Sequence, residues 1–209
     1  MAKRLKIPPT KSALLALKRQ VAFLVQGHDL LERKRELLTH LVYERLAQYR
    51  KLRKEVRTAL VESYHWLGVT HMRMGSRMLA QAALGLKPAL TINILPRSSI
   101  GVEYPAVSAE PLPLQPVGLL WTDPSFDESR ARLVTVAVLL ARLGEAETAL
   151  WRLLAEQRKT QKRVNGLKYN IIPRYRGTIR FIQATLEEEE RNALFQMKVL
   201  RERGVVGEI

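Results

Sequence analysis

Residues 10–66 read TKSALLALKRQVAFLVQGHDLLERKRELLTHLVYERLAQYRKLRKEVRTALVESYHW, without a proline. Thr10 follows Pro8-Pro9. Its hydroxyl suits an N-cap, where it accepts from a first-turn N–H that has no partner inside the helix. Steps of three and four residues then alternate through Leu14, Leu17, Val21, Leu24, His28, Leu31, Arg35, Leu38, Val42, Arg45, Tyr49, Leu52, Val56, Ala59, Ser63 and Trp66. Twelve of these sixteen positions are apolar or aromatic. A 3.5-residue period held over this distance describes a narrow seam, so it predicts a left-handed coiled coil rather than the face of a globular helix. The pattern fades after Trp66. Gly68, Gly75 and Gly85 each offer an end, and Pro88 forbids continuation.

A second long segment opens on two overlapping start signals. Asp123-Pro124 puts proline in a first helical turn, and Ser125-Phe126-Asp127-Glu128 has capping-box spacing. Apolar seam positions follow at Leu133, Val136, Leu140, Leu143, Leu150 and Leu153. Polar residues interrupt near Gln157 and Gln161. The seam resumes at Val164, Leu167, Ile171, Tyr175, Ile179, Ile182 and Leu186. Consecutive steps of four around Tyr175 shift the phase as a stutter does, beside Pro173, which removes a backbone donor and bends or loosens the helix. Acid-first pairs at i,i+4, such as Glu128/Arg132, support the exposed face slightly.

Seven of the ten prolines fall between Pro88 and Pro124. Within that stretch, β-branched residues in Ala89–Leu95 and Ile100–Tyr104 predict a short hairpin turning at Arg97-Ser98-Ser99, and the prolines of Pro105–Pro116 predict an extended loop. The expected division is therefore 1–87 as an N-terminal helix, 88–124 as a proline-rich middle, and 125–209 as a C-terminal helix. At about 1.5 Å per residue each helix would span on the order of 100 Å. The fold class is all-α: two long terminal helices folded back into an antiparallel coiled coil, with a small β-hairpin in the insertion. Such a rod has no deep pocket.

Composition narrows the chemistry. The 209 residues carry 35 Lys and Arg against 20 Asp and Glu, a net charge of +15, and no cysteine, which excludes disulfides and thiolate sites. No apolar run reaches membrane-span length, and Met1–Lys6 is followed by no apolar signal region. There is no Walker-type loop, dinucleotide fingerprint, His-Glu-x-x-His or Gly-x-Ser-x-Gly. His28, His40, His65 and His71 do not share metal-ligand spacing. Glu187–Glu190 are four consecutive helical residues that point in different directions, a solvated acidic face. No catalytic, cofactor-binding or metal-binding residue emerges. His28 reads as a register-setting polar seam residue, the alternative being a pH-sensitive contact to a partner.

Two blocks of sequence carry a resemblance. Pro9-Thr10-Lys11, Leu17-Lys18 and Gly27-His28-Asp29-Leu30-Leu31-Glu32-Arg33-Lys34-Arg35-Glu36-Leu37-Leu38 resemble the opening of the D-subunit of V-type and archaeal A-type ATPases. Arg163-Val164-Asn165-Gly166-Leu167, Ile172-Pro173, Thr178-Ile179-Arg180-Phe181-Ile182, Leu186-Glu187-Glu188 and Glu190-Arg191 resemble its C-terminal part. Gly166 and Lys11 depart from the alanine and arginine usual there. The resemblance implies the central rotor shaft of an H⁺- or Na⁺-translocating rotary ATPase, itself without catalytic residues or cofactor. It implies insertion of the paired terminal helices into a ring of catalytic A and B subunits, and coupling through the F and C subunits to the membrane ring. The chain would then lie peripherally at the cytoplasmic face of the cell membrane, held there only through the complex, with no nucleic acid bound. Within it, the segment Arg163–Arg180 is expected to contact the ring. Arg163, Asn165, Pro173, Arg174, Arg176 and Arg180 are the candidate contact residues, the arginines meeting acidic loops.

Three other classes compete. A nucleic-acid-binding coiled coil would use the +15 charge. However, residues 1–63 interleave fifteen positive with six negative groups, and residues 125–209 sixteen with eleven. A generic scaffold or tethering coiled coil would share the seam. The gamma shaft of F-type enzymes shares the helical plan but needs a much larger α/β domain than residues 88–124 supply.

Overall fold

The computed structural model describes residues 5–117 and 122–206. Residues 1–4, 118–121 and 207–209, which the three expected segments include, lie outside the described residues. The element order is α1 (Lys11–Leu84), β1 (Leu90–Ser99), β2 (Val102–Pro111), α2 (Pro124–Gly166), a five-residue π-turn (Leu167–Ile171) and α3 (Ile172–Val206). The chain divides into two compact units, Met1–Glu36 with Arg158–Ile209, and Leu37–Gln157. No helix among the described residues is long and apolar enough to cross a membrane.

α1 begins where the sequence places it, with the Ala13 N–H donating to the Thr10 hydroxyl at 3.2 Å. All sixteen seam positions of α1 are buried or half-buried, including His28, Arg35, Arg45 and Ser63. The 3.5-residue spacing therefore marks the packed stripe, and polar members are tolerated within it. Gly75 sits at φ 74°, ψ 160° and breaks the helical path before the last residues of α1. That region is open almost only to glycine. The helix ends at Leu84, where the Gly85 N–H bonds to the Ala82 carbonyl at 3.2 Å, an i→i+3 closure.

The helices pair antiparallel in each unit. In the first, Lys11 meets Glu190 at 2.7 Å and Arg35 donates to Gln161 at 3.2 Å. In the second, Arg132 meets Glu62 at 3.0 Å, and the Thr70 hydroxyl lies 2.9 Å from the Ser125 carbonyl. The numbers rise along one helix as they fall along the other. In the first unit the segment before α1 also doubles back, so that the Leu5 N–H donates to the Thr178 hydroxyl at 3.1 Å.

α2 uses one of its two predicted start signals. Asp123 is the N-cap and accepts the Ser125 N–H at 2.9 Å, with Pro124 at the first helical position. Ser125 is instead buried inside the first turn. On α2, Val136, Leu150 and Leu153 are buried as the seam predicts, but Leu133 and Leu140 are exposed. The buried stripe there runs through Phe126, Ser129, Val136, Ala149, Leu153 and Thr160, so small and polar residues take positions that a search for large apolar side chains passes over.

The hairpin is longer than predicted, and its turn is elsewhere. Ser99 pairs with Val102, so the loop is Ile100-Gly101, at φ 53° and 75°, rather than Arg97-Ser98-Ser99. Two successive positive φ values give the primed turn that matches strand twist. β2 also continues through Pro105 to Pro111, so only the residues after it form the expected extended loop. Proline is accepted mid-strand because Pro96 and Pro105 face each other. Counting from the closing pair Ser99–Val102, they form a pair that exchanges no hydrogen bonds, where an N–H would point outward. β2 packs on the helices: Val102 joins Leu38 and Leu153 in a buried cluster, and the Arg45 guanidinium lies 5.9 Å from the centre of the Tyr104 ring.

Two stability predictions arise here. Gly75→Ala should destabilise by about 1–3 kcal/mol, because a Cβ is strained at that φ. Gly68→Ala, in regular helix with open space at its Cα, should stabilise by about 0.5–1 kcal/mol. Urea titration of both variants checks the opposite signs. Asp123 supplies a pH dependence. The Ser125 hydroxyl and backbone N–H, with Arg73 beyond them, hold the Asp123 carboxyl below the usual carboxylate range. Its contribution is therefore present above the unfolded carboxylate value of about 4 and is lost as pH falls through the lower folded value. Asp123→Ala should lower the melting temperature at pH 7 and leave it unchanged in strong acid, as thermal scans across pH will read.

Candidate partner-contact site

The segment singled out in the sequence lies in the first unit and spans the end of α2, the π-turn and the start of α3. The π-turn has a simple cause. Pro173 has no N–H to give the Tyr169 carbonyl, and the Ile172 N–H reaches back to Leu167, an i→i+5 bond. One extra residue in the turn rotates everything after it by about 100° relative to an unbroken helix. That rotation corrects one predicted seam position: Ile171 is 38% exposed, whereas Ile172 is 7% exposed and takes the buried place. The phase shift read near Tyr175 is real, but it occurs as a single π-turn just before Pro173. After it, Tyr175, Thr178, Ile179, Ile182 and Leu186 return to the packed side.

Five of the six candidate residues are exposed: Arg163, Asn165, Pro173, Arg176 and Arg180. Pro173, Arg176 and Arg180 stand at spacings of three and four, so they share one face of α3. Arg163 precedes the π-turn in the last turn of α2. Neither Arg163, Arg176 nor Arg180 forms an ion pair among the described residues. Arg174 is half-buried, and its Nε is enclosed without a hydrogen-bond partner. Asn165 accepts from Gln161 Nε2 at 2.9 Å, which makes it the outer end of a polar chain. Gln161 accepts from Arg35, and Arg35 meets Glu32 at 2.6 Å.

This polar layer crosses the seam from α1 to α2, and in the sequence it shows only as an interruption near Gln157 and Gln161. The available signal is Arg35 on the seam. The second Glu32 oxygen and Nε2 of the neighbouring His28 are both enclosed without partners. His28 Nδ1 lies 3.2 Å from Asp29. Gly166 has ordinary helical angles, and a Cβ there would meet open space.

The second unit offers a different surface. A groove of about 950 Å³ between α1 and α2 is lined by Arg53, Lys54, Arg57, Val61, Tyr64 and Leu140. It accounts for the exposure of Leu140.

The sequence pattern of the ATP synthase D-subunit matches residues 13–202. The chain belongs to the ATP synthase D-subunit family. The V-type ATP synthase D-subunit of Thermotoga neapolitana is 34% identical over 198 residues, covering 94% of this chain and 98% of that one. The A-type ATP synthase D-subunit of Pyrococcus furiosus is 33% identical over 205 residues, covering 96% of each. That of Methanosphaera stadtmanae is 32% identical over 199 residues, covering 93% of each. The family resemblance read from the terminal blocks is therefore correct, and for this D-subunit family member it extends through the hairpin as well.

The register shift makes a sharp prediction. Ile172→Ala should cost roughly 2–5 kcal/mol, as for a buried aliphatic truncation. Ile171→Ala should cost about 1 kcal/mol or less, because its side chain is partly in water. Chemical denaturation of the two single variants will separate this geometry from an unbroken heptad, which predicts the reverse order.

Proposed function

We propose that this chain is the central rotor shaft of a V/A-type rotary ATPase, carrying torque between ATP synthesis or hydrolysis in the A/B ring and ion movement through the membrane rotor. It performs no catalysis itself. Its partners are the A and B subunits of the ring and, toward the membrane, the stalk F and C subunits. It sits peripherally at the cytoplasmic face of the membrane through that complex.

The observation that carries the reading is the helix pairing inside a D-subunit family member. A single helix twists and bends easily. Two antiparallel helices joined by a buried seam resist, because rotating one against the other breaks knobs-into-holes contacts and leaves packing voids. The exterior suits a part that turns inside a ring of repeated sites. Arg163, Arg176 and Arg180 are exposed cations whose contacts with acidic loops are individually weak and exchangeable in high dielectric. The π-turn makes the shaft unequal around its circumference at that level. Each catalytic site then meets a different face as the shaft turns, and differential contact biases its nucleotide state.

The test replaces Arg163, Arg176 and Arg180 together with alanine, and separately Pro173 with alanine, in the assembled ATPase. ATP synthesis driven by the ion gradient should fall by roughly fivefold or more per complex with the complex still assembled, the lower end of ordinary coupling energies. Full coupling in both variants would remove this role for the segment.

A further inference from the structure

The hairpin has one sealed edge and one open edge. Outward-pointing backbone groups alternate along each strand, and the pairing fixes which they are. On β2 they are taken by α2: the Val107 N–H donates to Glu145 at 3.0 Å, and the Glu103 carbonyl accepts from Arg152 at 2.8 Å. Pro105, between them, has no N–H to satisfy. On β1 the same count turns the groups of Leu90, Ile92 and Ile94 outward, and among the described residues no strand pairs with that side of the two-stranded sheet. Pro96 ends the run of free donors.

The side chains along this edge are apolar on the face of Leu90, Ile92 and Ile94 and mixed on the other, where Thr91 and Asn93 are exposed. Ile92 and Ile94 lie on the outer face at 48% and 64% exposure, and Leu95 lies on the other at 66%. Native edges are ordinarily protected by charge, prolines or a covering element. Here protection begins only at Pro96 and Arg97.

We propose that the outer edge of β1, Leu90–Leu95, receives an extended strand from a neighbouring subunit of the assembly, adding a third strand to the sheet. The occupant is an extended strand with one apolar, β-branched face. Unpaired N–H and C=O groups at alternate residues are complementary to an extended backbone. The exposed Ile92 and Ile94 favour apolar residues on the matching face of the incoming strand, and Thr91 and Asn93 favour small polar residues on its other face. Ionic recognition has little to act on, since residues 86–124 hold only two positive and three negative groups. A second copy of this chain is disfavoured by repulsion between two molecules of charge +15. The proposal rests on the reading of this chain as one subunit of an assembly, but not on torque, which the coupling measurements test separately.

Hydrogen exchange resolved at single residues, in the isolated chain and in the complex purified from membranes, tests it. The Ile92 and Ile94 amides should exchange rapidly in the isolated chain and slow by on the order of a hundredfold in the complex. Asn93 and Leu95, whose groups face β2, should be protected in both. Ile94→Pro removes an outward donor while keeping every ladder bond, so the isolated chain should melt as before and the complex should lose the protection at Ile92. Equal exchange at Ile92 and Ile94 in both states would overturn the proposal. So would protection that grows with the concentration of the isolated chain, which would assign the edge to a second copy. Retained Ile92 protection in an Ile94→Pro complex would overturn it as well.

Discussion

A narrow buried stripe that returns every 3.5 residues underlies every other feature of this molecule. The stripe leaves most of each helix surface in water, which is how a chain with 26% charged residues and 6% aromatic residues still folds. It also fixes direction: contacts of rising number on α1 meet falling numbers on α2 and α3 in each unit. Because the stripe is narrow, its tolerance is local. Ser63, Thr70, Thr160 and Thr178 are fully enclosed, and the Ser63, Thr70 and Thr178 hydroxyls bond to helix carbonyls one turn back. At Ser63, Thr70 and Thr178 small hydroxyl residues thus let the helices approach closely with the hydroxyl paired.

The same constraint explains the one irregular stretch of the C-terminal helix. An unbroken helix through Pro173 would lose a hydrogen bond and carry the seam out of phase. The π-turn answers both demands at once, by bridging the missing donor and by adding the residue that brings Ile172 and Ile182 to the packed side. The polar layer of Glu32, Arg35, Gln161 and Asn165 lies in the same unit. Polar seam layers fix register between helices more sharply than interchangeable apolar contacts do.

The hairpin adds a second kind of surface to a helical protein. Its primed turn places Ile100 in a left-handed conformation that a β-branched residue adopts at a cost, where asparagine is the usual choice. Its inner strand is fastened by Tyr104, Val102 and two polar contacts from α2, whereas among the described residues its outer strand pairs with the inner one alone. The family match covers residues 13–202 and so includes the hairpin with the helices. Fastening on one side and exposure on the other is the arrangement expected of an element that faces a neighbour.

Residue order was enough for the helical class, the start of α1 at Thr10, the entire α1 seam, the existence of a hairpin and the family. These are local or periodic properties: a cap, a 3.5 repeat and a pair of β-branched runs act over a few residues, and a linear reading can count them. Packing in three dimensions settled the rest. Which of Leu133, Leu140 and Ile171 would face water depended on what lay opposite each and on the π-turn, neither of which is written in the spacing of one segment. The hairpin turn moved to Ile100-Gly101 because strand pairing aligned Pro96 with Pro105, where neither needs an N–H. Glu145 and Arg152 sealed one strand edge and left the other open only because α2 runs beside β2, and no local signal records which helix a strand will meet.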